Sequence, residues 1–137
     1  MITIPESHRD LLQSTAVAYM STIGSRGEPQ VSPVLFGWDG TQLFFTMNKI
    51  RQKYRNLLRE PRIALAIADP TNPYRSLEIR GKAVRIEDDP NYHIANVLSQ
   101  KYTGKDATPN MLPGEQRVAI FVEPERVFVF PFQEDKK

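Results

Sequence analysis

Three basic side chains, Lys49, Arg51 and Lys53, head a stretch whose apolar residues Ile50, Tyr54, Leu57 and Leu58 recur at helical spacing. A helix N-terminus already carries partial positive charge and free N–H groups, so acidic side chains are favoured there. Cations in that region each cost a few tenths of a kcal/mol, up to about 1, unless an anion neutralises them. A phosphate would accept the free N–H groups and the cations together. On a helical wheel Arg51 and Arg55 flank one side of the apolar stripe and Lys49 and Lys53 the other, so these bases cannot all serve one ligand. The phosphate reading rests on Arg51 and Lys53. A solvated amphipathic face, whose long basic side chains cover the edge of the core, fits Arg55, Arg59 and Arg62. On composition alone it fits the others equally well.

The overall charge conceals this cluster. The 137-residue chain has a formal net charge of +2, yet residues 49–62 hold six bases and one acid. The remainder, with twelve bases and fifteen acids, is −3. A local anion site fits that asymmetry better than a broadly basic nucleic-acid surface. In a nucleic-acid site, aromatic side chains would interleave with the bases; only Tyr54 does, and it falls on the apolar stripe. We therefore expect no nucleic-acid partner. The absence of cysteine excludes a thiol nucleophile and thiolate metal sites. The two histidines, His8 and His93, lie far apart, and no metal-ligand spacing, P-loop or Gly-x-Gly-x-x-Gly fingerprint is present. No catalytic acid or base is evident, so redox chemistry here would be carried by a bound group. No apolar run approaches the roughly 18 residues of a membrane span, and no leader is visible. The expectation is a single intracellular, cytoplasmic domain over residues 1–137 without a membrane partner.

The elements that would position Arg51 and Lys53 read as mainly β. A weak helix is expected at 5–14, with Pro5 at its first position. Strands follow at Thr15–Ile23 and Gln30–Trp38, the second interrupted by Pro33 and so placed at an edge or bulge. Asp39-Gly40 is a strong hairpin signal leading into Thr41–Met47. Asn48 could cap the basic helix, and Pro61 stops it. Arg62–Asp69 reads as a buried strand, and Arg75–Glu87 as an alternating one in which Gly81 marks a bulge or close approach. Asp89-Pro90 opens a helix that faces Ile94, Val97, Leu98 and Tyr102 inward and ends at Gly104. Two last strands, Arg117–Glu123 and Arg126–Phe132, join at Glu123-Pro124-Glu125. Hairpin-length links and an excess of strands favour an antiparallel barrel with peripheral helices. Between these strands, Tyr74 and Arg75 could line a substrate mouth, with Arg75 holding an anion; a plain turn is the alternative for this loop.

Arg51-Gln-Lys53-Tyr-Arg-Asn56-Leu57-Leu-Arg-Glu-Pro61-Arg62 resembles the R-x-K-x-x-N-L-x-x-x-P-R segment of the pyridoxamine 5′-phosphate oxidase-like family, the FMN-binding split barrels. The Val31-Ser32-Pro33-Val34, Asn72-Pro73-Tyr74-Arg75, Ile79-Arg80-Gly81 and Lys101-Tyr102-Thr-Gly104 segments extend the likeness along nearly the whole chain, in order. The resemblance implies a six- to seven-stranded antiparallel split barrel, homodimeric, with cofactors at the interface. It implies that Arg51 and Lys53 meet the cofactor phosphate. The ring would lie along Ser32, Pro33 and Val34 and along Phe45, Thr46 and Met47, while Arg80 could reach the partner's cofactor. The chain looks most like the branch that binds the deazaflavin coenzyme F-420, and FMN also fits. The resemblance does not extend to the long basic C-terminal tail of the true oxidases. The implied function is hydride transfer to or from a small organic substrate. The alternative is a non-catalytic flavin- or haem-sequestering protein on the same fold.

Overall fold

Arg62–Asp69 (β5) buries Ile63, Leu65 and Ile67 and turns its alanines outward, the period of a strand with one face in the core. The structure, a computed structural model, describes residues 2–107 and 111–131. Around β5 lie β1 (Ala18–Ile23), β2 (Pro29–Val34), β3 (Gly37–Trp38), β4 (Leu43–Asn48), β6 (Asn72–Asp88) and β7 (Arg117–Phe130). They form one seven-stranded sheet in the order β2-β1-β5-β6-β7-β4-β3, every neighbouring pair antiparallel. Helix α1 (Gln52–Arg59) links β4 to β5, and α2 (His93–Thr103) follows β6. The inward faces of the strands share one core with Leu11 and Leu12 of a 3-10 helix, Glu6–Gln13.

The expected mainly β antiparallel barrel is the observed architecture, and seven strands are present. Several boundaries move, each for a physical reason. Gln30–Trp38 is two strands: Leu35-Phe36 leaves the ladder after β2, and Phe36 is fully buried. Pro33 lies on β2, an edge of the sheet, where no outer neighbour needs its missing N–H. Asp39-Gly40 does close a hairpin, β3 to β4, with the Asp39 carboxylate accepting from the Thr41 and Gln42 N–H groups.

The two strands expected at 117–132 are one. Pro124 sits opposite Gly81 at a shift in the β6–β7 register, an irregularity of the kind that accommodates a residue without an N–H, so the proline does not end the strand. Phe132 lies outside the described residues. Gly81 is required there: a Cβ would come within 2.2 Å of the Glu123 carbonyl oxygen.

The 3-10 helix begins after Pro5, which precedes it. Helix α2 starts at His93, three residues beyond Pro90. The buried Asp89 carboxylate accepts from the Ile94 and Ala95 N–H groups across a left-handed Tyr92. Its inward residues are Ala95 and Leu98, whereas Val97 is exposed. Gly104, with φ 71°, ends it as expected.

Candidate functional site

Helix α1 begins at Gln52, later than its periodicity suggested. Ile50 precedes it and is 75% exposed, and Leu58 is exposed too; Leu57 is the buried member of the stripe. Asn48 does not cap the helix. Its side-chain oxygen accepts from the Ile50 N–H, short of the helix, and the position before the helix is held by Arg51 with no side-chain cap. The first turn contains no acid. The start of α1 therefore retains both features that favour an anion, free N–H groups and adjacent cations.

A cleft of about 420 Å³ opens at this end. Its walls come from the end of β2 and the residue after it (Pro33, Val34 and Leu35), the end of β4 (Thr46, Met47 and Asn48), Arg51 just before α1, Lys53 in its first turn, four residues of α2, Ala107, Met111 and Arg117. Four strands separate β2 from β4 in the sheet, so the sheet must curl round to bring both to one cleft. That curl is what unites Pro33 and Val34 with Thr46 and Met47.

Arg51 and Lys53, on opposite sides of the helical wheel, line the same cleft. The wheel does not apply to Arg51, which stands before the first helical residue. Lys53 is 7% exposed, and its ammonium donates to the Ser32 hydroxyl at 3.3 Å. Burial, and then the Arg51 and Arg117 charges, push its pKa below the ordinary lysine range. Ser32 thus stands behind Lys53 and does not itself line the cleft.

Two of the named positions, Phe45 and Arg80, lie outside this cleft. Phe45 is fully buried on the core face of β4 and does not line the cleft; Met47, two residues on along the same face at the end of the strand, does. Arg80 projects from the outer face of β6, donates to Glu78 at 2.8 Å and lies over the Phe128 ring; it does not reach the cleft of its own chain.

The remaining bases of 49–62 are engaged locally. Lys49 pairs with Asp88 at 2.9 Å and Arg62 with Glu60 at 2.8 Å. Arg55 donates to the Ile50 carbonyl and Gln52, and Arg59 to the Ile23 carbonyl and Asn56. Asn56 is wholly buried and bonds side chains: it donates to Thr22 and Gln30 and accepts from Gln52. Arg75 is not available to an anion. It is clamped by Asp69, Asp10 and the Ser7 carbonyl, which fastens the 3-10 helix to the β5–β6 turn. Tyr74 is 74% exposed. His8 is buried between Ser7 and the Phe130 carbonyl, His93 is exposed, and neither lines the cleft.

The cleft residue that sequence reasoning missed is Arg117, the first of β7. Its guanidinium donates to the Thr46 hydroxyl at 3.0 Å and to Glu115 at 3.3 Å. The Asn48 amide, then Arg117 and the Leu112 N–H, hold the Glu115 carboxyl below its usual range against the opposing effect of burial. Glu115 faces away from the cleft, so the lining has three cations and, among the described residues, no Asp, Glu or His. Such a site can hold an anion and a flat apolar group. Its described lining offers no carboxylate or imidazole base.

The sequence profile of the pyridoxamine 5′-phosphate oxidase family matches residues 4–130. No curated protein matches the chain. Among solved structures, an F420 reductase is 37% identical with a TM-score of 0.83, covering 90% of this chain and 98% of that one. A conserved hypothetical protein from Mycobacterium tuberculosis superposes at a TM-score of 0.75 with 21% identity, covering 99% of this chain and 93% of that one. The General Stress Protein 26 of Bacillus anthracis superposes at 0.70 with 16% identity over 93% of this chain and 94% of its own. The last two show a shared fold. No helix among the described residues is long and apolar enough to cross a membrane.

Proposed function

Since the chain belongs to the pyridoxamine 5′-phosphate oxidase family, we propose that it is an oxidoreductase whose cleft holds a flavin-type cofactor, coenzyme F-420 or FMN. The observation that carries this reading is Lys53: a buried ammonium with no carboxylate partner among the described residues, beside Arg51 at the uncapped start of α1. A buried charge without a counter-ion is costly, and a phosphate supplies one. Both cofactors carry a phosphate, so the cations fit either. The 37% identical F420 reductase favours the deazaflavin.

The chain's own residues would bind and orient. Arg51 and Lys53 take the phosphate. Pro33 and Val34 on one wall and Thr46 and Met47 on the other take the ring, with Ser32 steadying Lys53. When bound, the ring supplies hydride transfer to or from a small organic substrate. The protein forms a homodimer, and Arg80 serves the partner's cofactor. Tyr19 and Val31, 52% and 65% exposed on neighbouring strands β1 and β2, support a further apolar contact surface.

The absence of an acid or base from the described lining also suits a protein that sequesters a cofactor without turnover. Visible absorption titrations of the purified protein with FMN, coenzyme F-420 and haem test the proposal. Saturable perturbation of the flavin or deazaflavin band is expected; binding of haem alone would contradict it. A bound ring that can be reduced yet passes no hydride to any second compound would favour sequestration.

A further inference from the structure

The cleft has a third cation that the helix start does not supply. Arg117 enters from β7, on the opposite side of β4 from β3, and its side chain is 17% exposed. Two of its nitrogens are fixed, one by the Thr46 hydroxyl and one by Glu115. Its Nε–H is buried and has no hydrogen-bond partner. Glu115 is itself held by the Asn48 amide at 2.8 Å and by the Leu112 N–H, so the guanidinium cannot swing away without breaking a connected network. Glu115 pairs with Arg117 alone, so among the described residues the three cations Arg51, Lys53 and Arg117 have one carboxylate between them and two positive charges are left uncompensated. Like charges gathered in a partly desolvated site repel one another, and the effect is already felt at Lys53. An anion in the cleft relieves the repulsion of Lys53 by Arg51 and by Arg117 at once, and a preoriented guanidinium is the side chain best suited to oxygen anions.

We infer that Arg117 is a third anion-binding residue of this cleft, recognising the phosphate group of the ligand together with Arg51 and Lys53, and that Glu115 and Thr46 are the positioning residues that aim it. This rests on the phosphate reading of the same cleft. Arg117 acts on a phosphomonoester, as in FMN, or on a phosphodiester, as in coenzyme F-420.

The test compares two ligand pairs: FMN with riboflavin, and coenzyme F-420 with its phosphate-free deazaflavin core. Dissociation constants are measured by fluorescence for the wild type, for Arg117→Met, and for the double variant Arg117→Met with Glu115→Gln. The double variant removes the carboxylate that Arg117→Met would leave buried and unpaired. Circular dichroism melting identifies variants that remain folded. In at least one pair the wild type is expected to prefer the phosphorylated member, and loss of a charged hydrogen bond should cut that preference about 10- to 100-fold. Affinity for the phosphate-free member should stay within about twofold. The pair that responds identifies the phosphate source. An unchanged preference in the folded double variant would overturn the role of Arg117 and leave the phosphate site standing. A wild type with no preference in either pair would overturn both.

Discussion

The Lys53 ammonium donates to the Ser32 hydroxyl at 3.3 Å, joining helix α1 to the edge strand β2 and fixing a buried cation at the cleft wall. Its pKa is lowered by burial and by Arg51 and Arg117, and the cation is the form that binds phosphate. Affinity for the phosphorylated cofactor is therefore expected to fall as pH rises through the folded pKa, at a lower pH than an ordinary lysine would give. Dissociation constants from pH 7 to 10 check this against Lys53→Arg, whose guanidinium stays charged. The comparison cancels any titration of the ligand. Parallel profiles would show that Lys53 does not contact the anion.

Asn56 is predicted to be structural. It donates to Thr22 and Gln30, both at 3.0 Å, and accepts from Gln52 at 2.8 Å, with no exposure of its own. Asn56→Ala leaves these partners unpaired in the interior and should cost about 2 kcal/mol of stability in urea denaturation. The folded variant should bind cofactor with little change.

Gly81→Ala should be destabilising by about 2–3 kcal/mol, because the new methyl meets the Glu123 carbonyl oxygen, a backbone atom that cannot rotate away. Gly27→Ala has open space but a φ of 80°, so its cost is conformational and should be smaller, about 1 kcal/mol. Equal losses in chemical denaturation would contradict the close approach at the bulge.

Lys101 carries a pH signature in stability. Burial pushes its pKa down to about 8, while its ammonium donates to the Phe36 carbonyl at 2.8 Å and lies 4.0 Å from the Phe36 ring centre. In the unfolded chain the same group titrates near 10.5, so between about pH 8 and 10.5 the unfolded state holds more protons. Stability should rise with pH across that window. The melting temperature of the wild type relative to Lys101→Met should therefore increase from pH 8 to pH 10; a flat difference would mean that the carbonyl and ring offset the burial.

Features rooted in local chemistry were legible in the sequence. The Asp39-Gly40 hairpin, the bounds of β5, the close approach at Gly81 and the glycine that ends α2 depend on residues next to them. So did the basic start of α1, since cations there violate a local preference. What was hidden depended on the curl of the sheet. Arg117 lies 64 positions after Lys53, and in the sequence it is simply the first residue of a strand. Only the fold brings it against Thr46. Phe45 was placed with the ring site because the side of β4 that faces the core cannot be read from one strand alone. Arg51 and Lys53 were separated on the helical wheel because the true start of α1, one residue after Arg51, is not marked by a capping side chain. Pro124 carried a turn signal that the long β6–β7 pairing absorbed as an irregularity.

The most direct test of the account is the affinity of Arg51→Ala/Lys53→Ala for FMN and coenzyme F-420, measured against riboflavin and the phosphate-free deazaflavin. Loss of two charged contacts is expected to weaken the phosphorylated ligand by about 100-fold or more, with the phosphate-free ligands little affected. A folded double variant that binds FMN and coenzyme F-420 as tightly as the wild type would contradict the assignment of the cleft.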